Sequence, residues 1–316
     1  MAIDNRAANR GNHRLGLSLL ASYVVLYAVT LFAMVRFGGF GAGDAIGLFG
    51  VLGVGFSLIA LLLTLGVKPL PFQVLEPGRE LQSLLLYMVP LAVFLVYGFD
   101  AIHRWVPGEP ADLLVLLVAK LTVFVATPAW IMVARYHYRL SELTPSAMPT
   151  SHMLAFVGMA GLLVAFQSVA GGGLRDIAAA HVPGDTLLFG MPLVFLWLVL
   201  EVGVVEEFFF RVLLQSRLSA AMRSELGGIV VMALLFGLIH APGLYLRTSV
   251  TQEGLPAHPS LWMAVGYSIV ITSVAGFLLG VLWARTRNFL VLILVHAAAD
   301  LLPNTLPALR AFHLIK

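Results

Sequence analysis

The chain contains no cysteine, and only 11% of its 316 residues are charged. The first absence excludes disulfides, thiolate nucleophiles and cysteine-held zinc. The second places the sequence outside the soluble globular domains, in which roughly a quarter of residues carry charge. Neither a His-Glu-x-x-His pair nor a Gly-x-Ser-x-Gly elbow occurs, so the usual zinc-protease and serine-hydrolase signatures are missing as well. Any chemistry has to come from His, Asp, Glu, Ser or Arg. The net charge is +3, but the basic residues are scattered without a dense patch, and no nucleic-acid partner is expected.

What the sequence has in abundance is apolar length. Hydrophobic residues make up 60% of it and the mean hydropathy is +0.95, which predicts an all-α, polytopic integral membrane helical bundle. Apolar stretches occupy residues 15–35, 45–67, 82–99, 111–134, 153–171, 186–214, 226–246, 261–284 and 289–302. Each is near the ~20 residues that cross a bilayer, apart from a long sixth and a short ninth. About nine transmembrane helices are expected, or eight if an early stretch is interfacial or the last is re-entrant. The first is too long for a signal-peptide core and has no small-residue cleavage site, so it reads as a retained span. The chain then divides into a cytoplasmic N-terminal tail 1–14, about five membrane helices over 15–184, a four-helix core over 185–302 and a C-terminal tail 303–316.

Basic residues set the orientation, because cytoplasmic loops are enriched in Lys and Arg. With the N-terminus inside, the cytoplasmic set is Arg6, Arg10, Arg14, Lys68, Arg79, Arg135, Arg139, Arg211, Arg217, Arg223, Arg285 and Arg287, twelve in all. The outer set is the six residues Arg36, Arg104, Arg175, Arg247, Arg310 and Lys316, while Lys120 falls within the fourth span. The bias favours a cytoplasmic N-terminus.

The sixth stretch runs without a break into Glu201 and then Glu206-Glu207-Phe208-Phe209-Phe210-Arg211. An ionised side chain at membrane depth costs about 3 kcal/mol even on lenient scales, so these residues must face protein and be paired or used. At 100° per residue, Glu207 and Arg211 lie about 40° apart and Glu206 and Arg211 about 140° apart. Glu207 is therefore expected to neutralise Arg211, which leaves Glu206 to act. The seventh stretch places Phe236 and His240 one turn apart, and the ninth does the same for His296 and Asp300, with three alanines between that allow a close helix approach. A carboxylate, two imidazoles and a second carboxylate in a protein interior are the parts needed to activate water. Glu206 would take the proton. The histidines and Asp300 would hold a metal or steady the oxyanion formed when water adds to a carbonyl, as in amide hydrolysis.

Glu206-Glu207-x-x-x-Arg211, Phe236-x-x-x-His240 and His296-x-x-x-Asp300, in that order on successive apolar helices, resemble the CPBP family of intramembrane proteases. These are the type II CAAX prenyl proteases and their bacterial Abi or bacteriocin-processing relatives. The resemblance covers roughly residues 186–302 and implies Glu206 as catalytic base, Glu207 and Arg211 as its supporting pair, and His240, His296 and Asp300 as site residues. The eukaryotic prenyl proteases carry asparagine where this chain has Asp300. An ionised Asp can only accept a hydrogen bond, and Asn304, on a similar face, could supply the missing donor if the helix continues past Pro303. Glu206, His240, His296 and Asp300 would also suit a divalent metal, zinc above all.

Blander readings stand beside these. Glu207 with Arg211 reads alone as a structural ion pair, Phe236 as packing beneath His240, Glu201 as a lining or capping residue outside the site, and Lys120 as a charge that snorkels or pairs internally. Gly41-Ala42-Gly43-Asp44 matches an aspartyl-protease pattern but lies in a Gly-rich turn and lacks an earlier membrane aspartate. The expected function is an intramembrane endopeptidase acting on a membrane-associated peptide or protein within the bilayer. Two rivals stay open: a proton- or cation-coupled transporter using the same Glu and His residues, and a non-catalytic immunity or scaffold protein. Richness in Ala, Leu and Gly suggests a prokaryotic cytoplasmic membrane.

Overall fold

Helix α1, His13–Gly38, begins where the Asn12 side chain accepts a hydrogen bond from the Leu15 amide, and it ends at Gly39, whose φ of 67° is the left-handed conformation that closes a helix. The computed structural model describes residues 12–106, 108–246, 255, 256 and 258–315. Arg6, Arg10, Arg247 and Lys316, which enter the charge count, lie outside the described residues. Among the described residues there is no strand, and nine helices are long and apolar enough to span a membrane. After α1 they are α2 Ala42–Leu63, α3 Pro77–Trp105, α4 Ala111–Tyr136, α5 Thr150–Ala170, α6 Gly184–Met222, α7 Glu225–Leu246, α8 Leu261–Thr286 and α9 Phe289–Ala311. The protein is a multi-pass integral membrane protein.

Several boundaries differ from the sequence expectation. The ninth helix is not short: it passes through Pro303 and Pro307 to Ala311, so most of the expected tail 303–316 is helical. Helices in lipid tolerate proline where neighbours resatisfy the freed backbone groups. Arg217, counted among the cytoplasmic loop charges, is fully buried within α6. Ala42 to Asp44 belong to the first turn of α2 rather than to a turn between spans.

The residues gather into two packed units. The first comprises residues up to 62, 73–97 and 210–285; the second comprises 63–72, 98–209 and 286 onward. In the first, α1 lies close enough to the start of α7 that a Cβ on Gly16 would meet Ser224 Oγ at 2.7 Å. Helix α8 is held by polar bonds inside an apolar core: Tyr23 OH to Ser273 Oγ at 2.8 Å, Gln215 Nε2 to the Gly280 carbonyl at 2.9 Å, and Trp283 Nε1 to Ser216 Oγ at 3.0 Å. Burying these groups is tolerable because each has a partner. Glu80 and Arg217, both sealed from solvent, form an ion pair at 2.8 Å.

In the second unit α9 is the axis, with α5, the first half of α6 and the short helix Gly173–Ala179 packed on it. Glycines set the spacing. A Cβ at Gly203 of α6 would lie 2.7 Å from the Ile293 carbonyl oxygen, and one at Gly190 would lie 2.6 Å from Leu309. The start of α9 is fixed by Asn288, whose Oδ1 accepts from the Leu290 and Val291 amides while its Nδ2 donates to the Ala147 carbonyl and to His152 Nδ1. His152 is buried and its Nε2 donates in turn to the Lys68 carbonyl at 3.0 Å.

Candidate functional site

The site-bearing part of α6 is not uniformly α-helical. Residues 199–204 and 208–215 are wound as π-helix, and only Val205–Glu207 between them is α-helical. The i→i+5 winding changes which residues share a face, so the 100° arithmetic that assigned Glu207 to Arg211 no longer follows from spacing. Phe208 and Phe209 fix this stretch through edge-on contacts, Phe208 with Phe289 of α9 at 6.1 Å and Phe209 with Phe124 of α4 at 5.7 Å.

In the second unit the Glu207 carboxylate, fully buried, accepts a hydrogen bond from His296 Nδ1 at 2.8 Å. A carboxylate oxygen only accepts, so Nδ1 carries the proton and the other ring nitrogen, Nε2, is left for chemistry. That nitrogen points toward Asp300, 3.7 Å from Oδ2, which is beyond hydrogen-bond length but close enough for a strong electrostatic contact. Asp300 is one-third open, whereas His296 is nearly closed off. Glu206 is half-buried, and its carboxylate lies within electrostatic reach of both His296 and Asp300. Four of the residues singled out from the sequence, Glu206, Glu207, His296 and Asp300, therefore belong to one neighbourhood. Asn304 also reaches it along α9, but its amide donates to the Asp300 backbone carbonyl at 2.8 Å and so serves its own helix.

In the first unit Phe236 is the hub. Its ring lies 5.0 Å from that of His240, meets Phe210 edge-on at 5.3 Å, and carries the Arg211 guanidinium 4.3 Å above its centroid. A cation over an aromatic face is favourable where water is excluded, and Phe236 packs beneath His240 as the spacing suggested. His240 sits where α7 breaks ahead of Pro242. Its amide bonds the Gly237 carbonyl, so the Phe236 carbonyl is available to accept from His240 Nδ1 at 2.7 Å. This again protonates Nδ1. Gly237 allows the approach of α8, since a Cβ there would meet the Ser268 carbonyl and Ser273.

Sequence reasoning left two residues aside that the structure joins: Lys120 of α4 and Glu201 of α6 form an ion pair. The signal was available, because each is a charge in the middle of an apolar span. As for metal binding, the donor types suit zinc, but among the described residues no three His, Asp or Glu side chains are grouped as ligands. That arrangement does not fit a multidentate metal site.

Nine apolar helices among the described residues define a multi-pass membrane protein, with Glu206, Glu207, His296 and Asp300 gathered in one neighbourhood of its second unit. Residues 188–302 match the Rce1-like family, described as type II CAAX prenyl endopeptidase. That stretch holds all three motifs, and its family is the one that the motif spacing resembles. Comparisons with curated proteins and with solved structures return no match.

Proposed function

We propose that the chain is an intramembrane endopeptidase that hydrolyses a peptide bond of a membrane-associated peptide or protein. The observation that carries this reading is the Glu207 to His296 hydrogen bond beside the more open Glu206 and Asp300, inside the family-matched stretch. Glu206, the more open acid of the pair, takes a proton from water as the water oxygen adds to the scissile carbonyl. His296 enters the step as the imidazolium: its Nδ1–H is held by the Glu207 carboxylate, and its Nε2–H, a proton it brings and keeps, is donated to the developing oxyanion. Glu206 returns its proton to the leaving amine as the C–N bond breaks. Asp300 steadies the charged form of His296 through the 3.7 Å contact.

Water activation in this reading needs no metal. The N-terminus lies on the cytoplasmic side, in a prokaryotic inner membrane; with Arg211 and Arg217 set aside as buried, the inside count is twelve minus two, ten against six.

The test is cleavage of a lipid-anchored fluorogenic peptide by the full chain in detergent. Wild type is expected to cleave and Glu206→Gln to be inactive. Absence of cleavage by both, with proton flux into liposomes that Glu206→Gln abolishes, would replace this reading by the transporter. Zinc at one per chain, with activity lost on chelation and regained on zinc addition, would overturn the metal-free step.

A further inference from the structure

Two ion pairs within the spans, Glu80 with Arg217 and Lys120 with Glu201, are built differently. Glu80 and Arg217 are fully sealed, and their remaining valences are filled: Arg217 Nη1 donates to the Val212 carbonyl and Glu80 Oε1 accepts from the Leu75 and Glu76 amides. Such closure marks a structural pair. Lys120 and Glu201 are joined by a single hydrogen bond, with side chains 18% and 22% exposed. An ammonium has three donors, and among the described residues the Lys120 ammonium meets, beyond Glu201, only the face of Phe99, 5.7 Å from its centroid. The pair is thus open and under-coordinated.

Its position ties it to the acids of the site. Glu201 lies on the π-wound stretch 199–204 and Glu206 five residues on, in the short α-helical stretch Val205–Glu207, so the two are little more than one turn apart along α6. The same stretch packs against both α4, which carries Lys120, and α9, which carries Asp300, and Glu201 lies within electrostatic reach of Asp300. Lys120 itself lies outside the family-matched residues 188–302.

We propose that Lys120 and Glu201 are specificity-determining residues for the proteolysis inferred above: together they line a subsite one turn of α6 from Glu206 and make it electrically neutral. The inference rests on the protease reading. An intact pair presents no net charge, so a charged substrate side chain lodged there must break the pair or go unpaired. Removing either partner leaves a single charge, and the subsite should then prefer the opposite one.

The experiment uses lipid-anchored peptides carrying Glu, Gln or Lys in turn at each position flanking the scissile bond. Wild type is expected to favour Gln at one position. There Lys120→Met should raise kcat/KM for the Lys peptide relative to Gln, and Glu201→Gln should raise it for the Glu peptide, each by roughly tenfold, a modest effect for charge complementarity at a part-open site. The neutral double variant Lys120→Met/Glu201→Gln should regain the wild-type order, which also covers the case of a poorly folding single variant. Equal changes for all three peptides in each variant would show a structural pair and overturn the proposal. If wild type cleaves none of them, the protease reading fails; peptide binding, read as thermal shift on the same variants, then decides the charge preference, and binding indifferent to peptide charge overturns it.

Discussion

Glu207 of α6 and His296 of α9, 89 residues apart in sequence, share a 2.8 Å hydrogen bond that leaves the carboxylate fully buried. Neighbouring Glu206, by contrast, is only half-buried. On the proposed reading these adjacent acids do different work, and substitution should separate them. Glu206→Gln is isosteric and touches an open position, so it is expected to keep the melting temperature within a degree or two while cleavage falls by about 10²–10⁴-fold, the usual contribution of a general base. Glu207→Ala leaves the buried His296 Nδ1 without its acceptor, at about 1–3 kcal/mol, and should lower stability and cleavage together. Thermal unfolding and turnover measured on both proteins check the contrast; a stable, active Glu207→Ala would refute it.

The same helix pair depends on Gly203. An added Cβ would sit 2.7 Å from the Ile293 carbonyl oxygen and 3.2 Å from its Cα, contacts with backbone that cannot swing aside. Ile293 is three residues before His296 and Gly203 four before Glu207, so the two helices must separate just where the hydrogen bond forms. Gly203→Ala is expected to cost about 1–3 kcal/mol as overpacking and to reduce cleavage sharply. Gly161→Ala, at a helical position where a Cβ meets nothing within 4 Å, should leave both readouts unchanged or slightly improved.

The helices were legible from hydropathy because lipid imposes length and apolar content directly, and the three motifs were legible because charge at membrane depth is rare. Ends and pairings were harder to read. Pro303 resembles a stop signal, yet α9 runs through it because neighbouring helices and lipid leave the backbone no better partner. α-Helical spacing sets Glu207 and Arg211 on one face, but α6 is π-wound from Phe208 to Gln215, so spacing alone does not carry that pairing. Lys120 and Glu201 lie 81 residues apart, and no local pattern links two charges on separate spans.

Arg217 reads as a loop charge in sequence but behaves as a buried ion. Its Nε donates to Glu80 Oε2 at 2.8 Å and neither side chain is exposed. Arg217→Met should therefore destabilise by about 3–5 kcal/mol, since the uncompensated Glu80 carboxylate stays inside. Glu80→Gln/Arg217→Met removes that charge and keeps an acceptor for the Leu75 and Glu76 amides, so it should recover most of the loss. Melting temperatures of the two variants in detergent decide the matter, and equal losses would refute the ion-pair account.

Asn288 holds the first turn of α9, the helix that carries His296 and Asp300. Its Oδ1 caps the Leu290 and Val291 amides, and its Nδ2 ties that turn to Ala147 and His152. Asn288→Ala loses a cap of about 1 kcal/mol and leaves the buried His152 Nδ1 and the Ala147 carbonyl short of a donor, at about 1–3 kcal/mol more. Asn288→Asp keeps the cap and loses the donor, so its stability should fall between wild type and Asn288→Ala. Because His296 lies two turns along the same helix, cleavage should follow the same order. If Asn288→Asp proves as damaged as Asn288→Ala, the donor to His152 and Ala147, and not the helix cap, sets the position of α9.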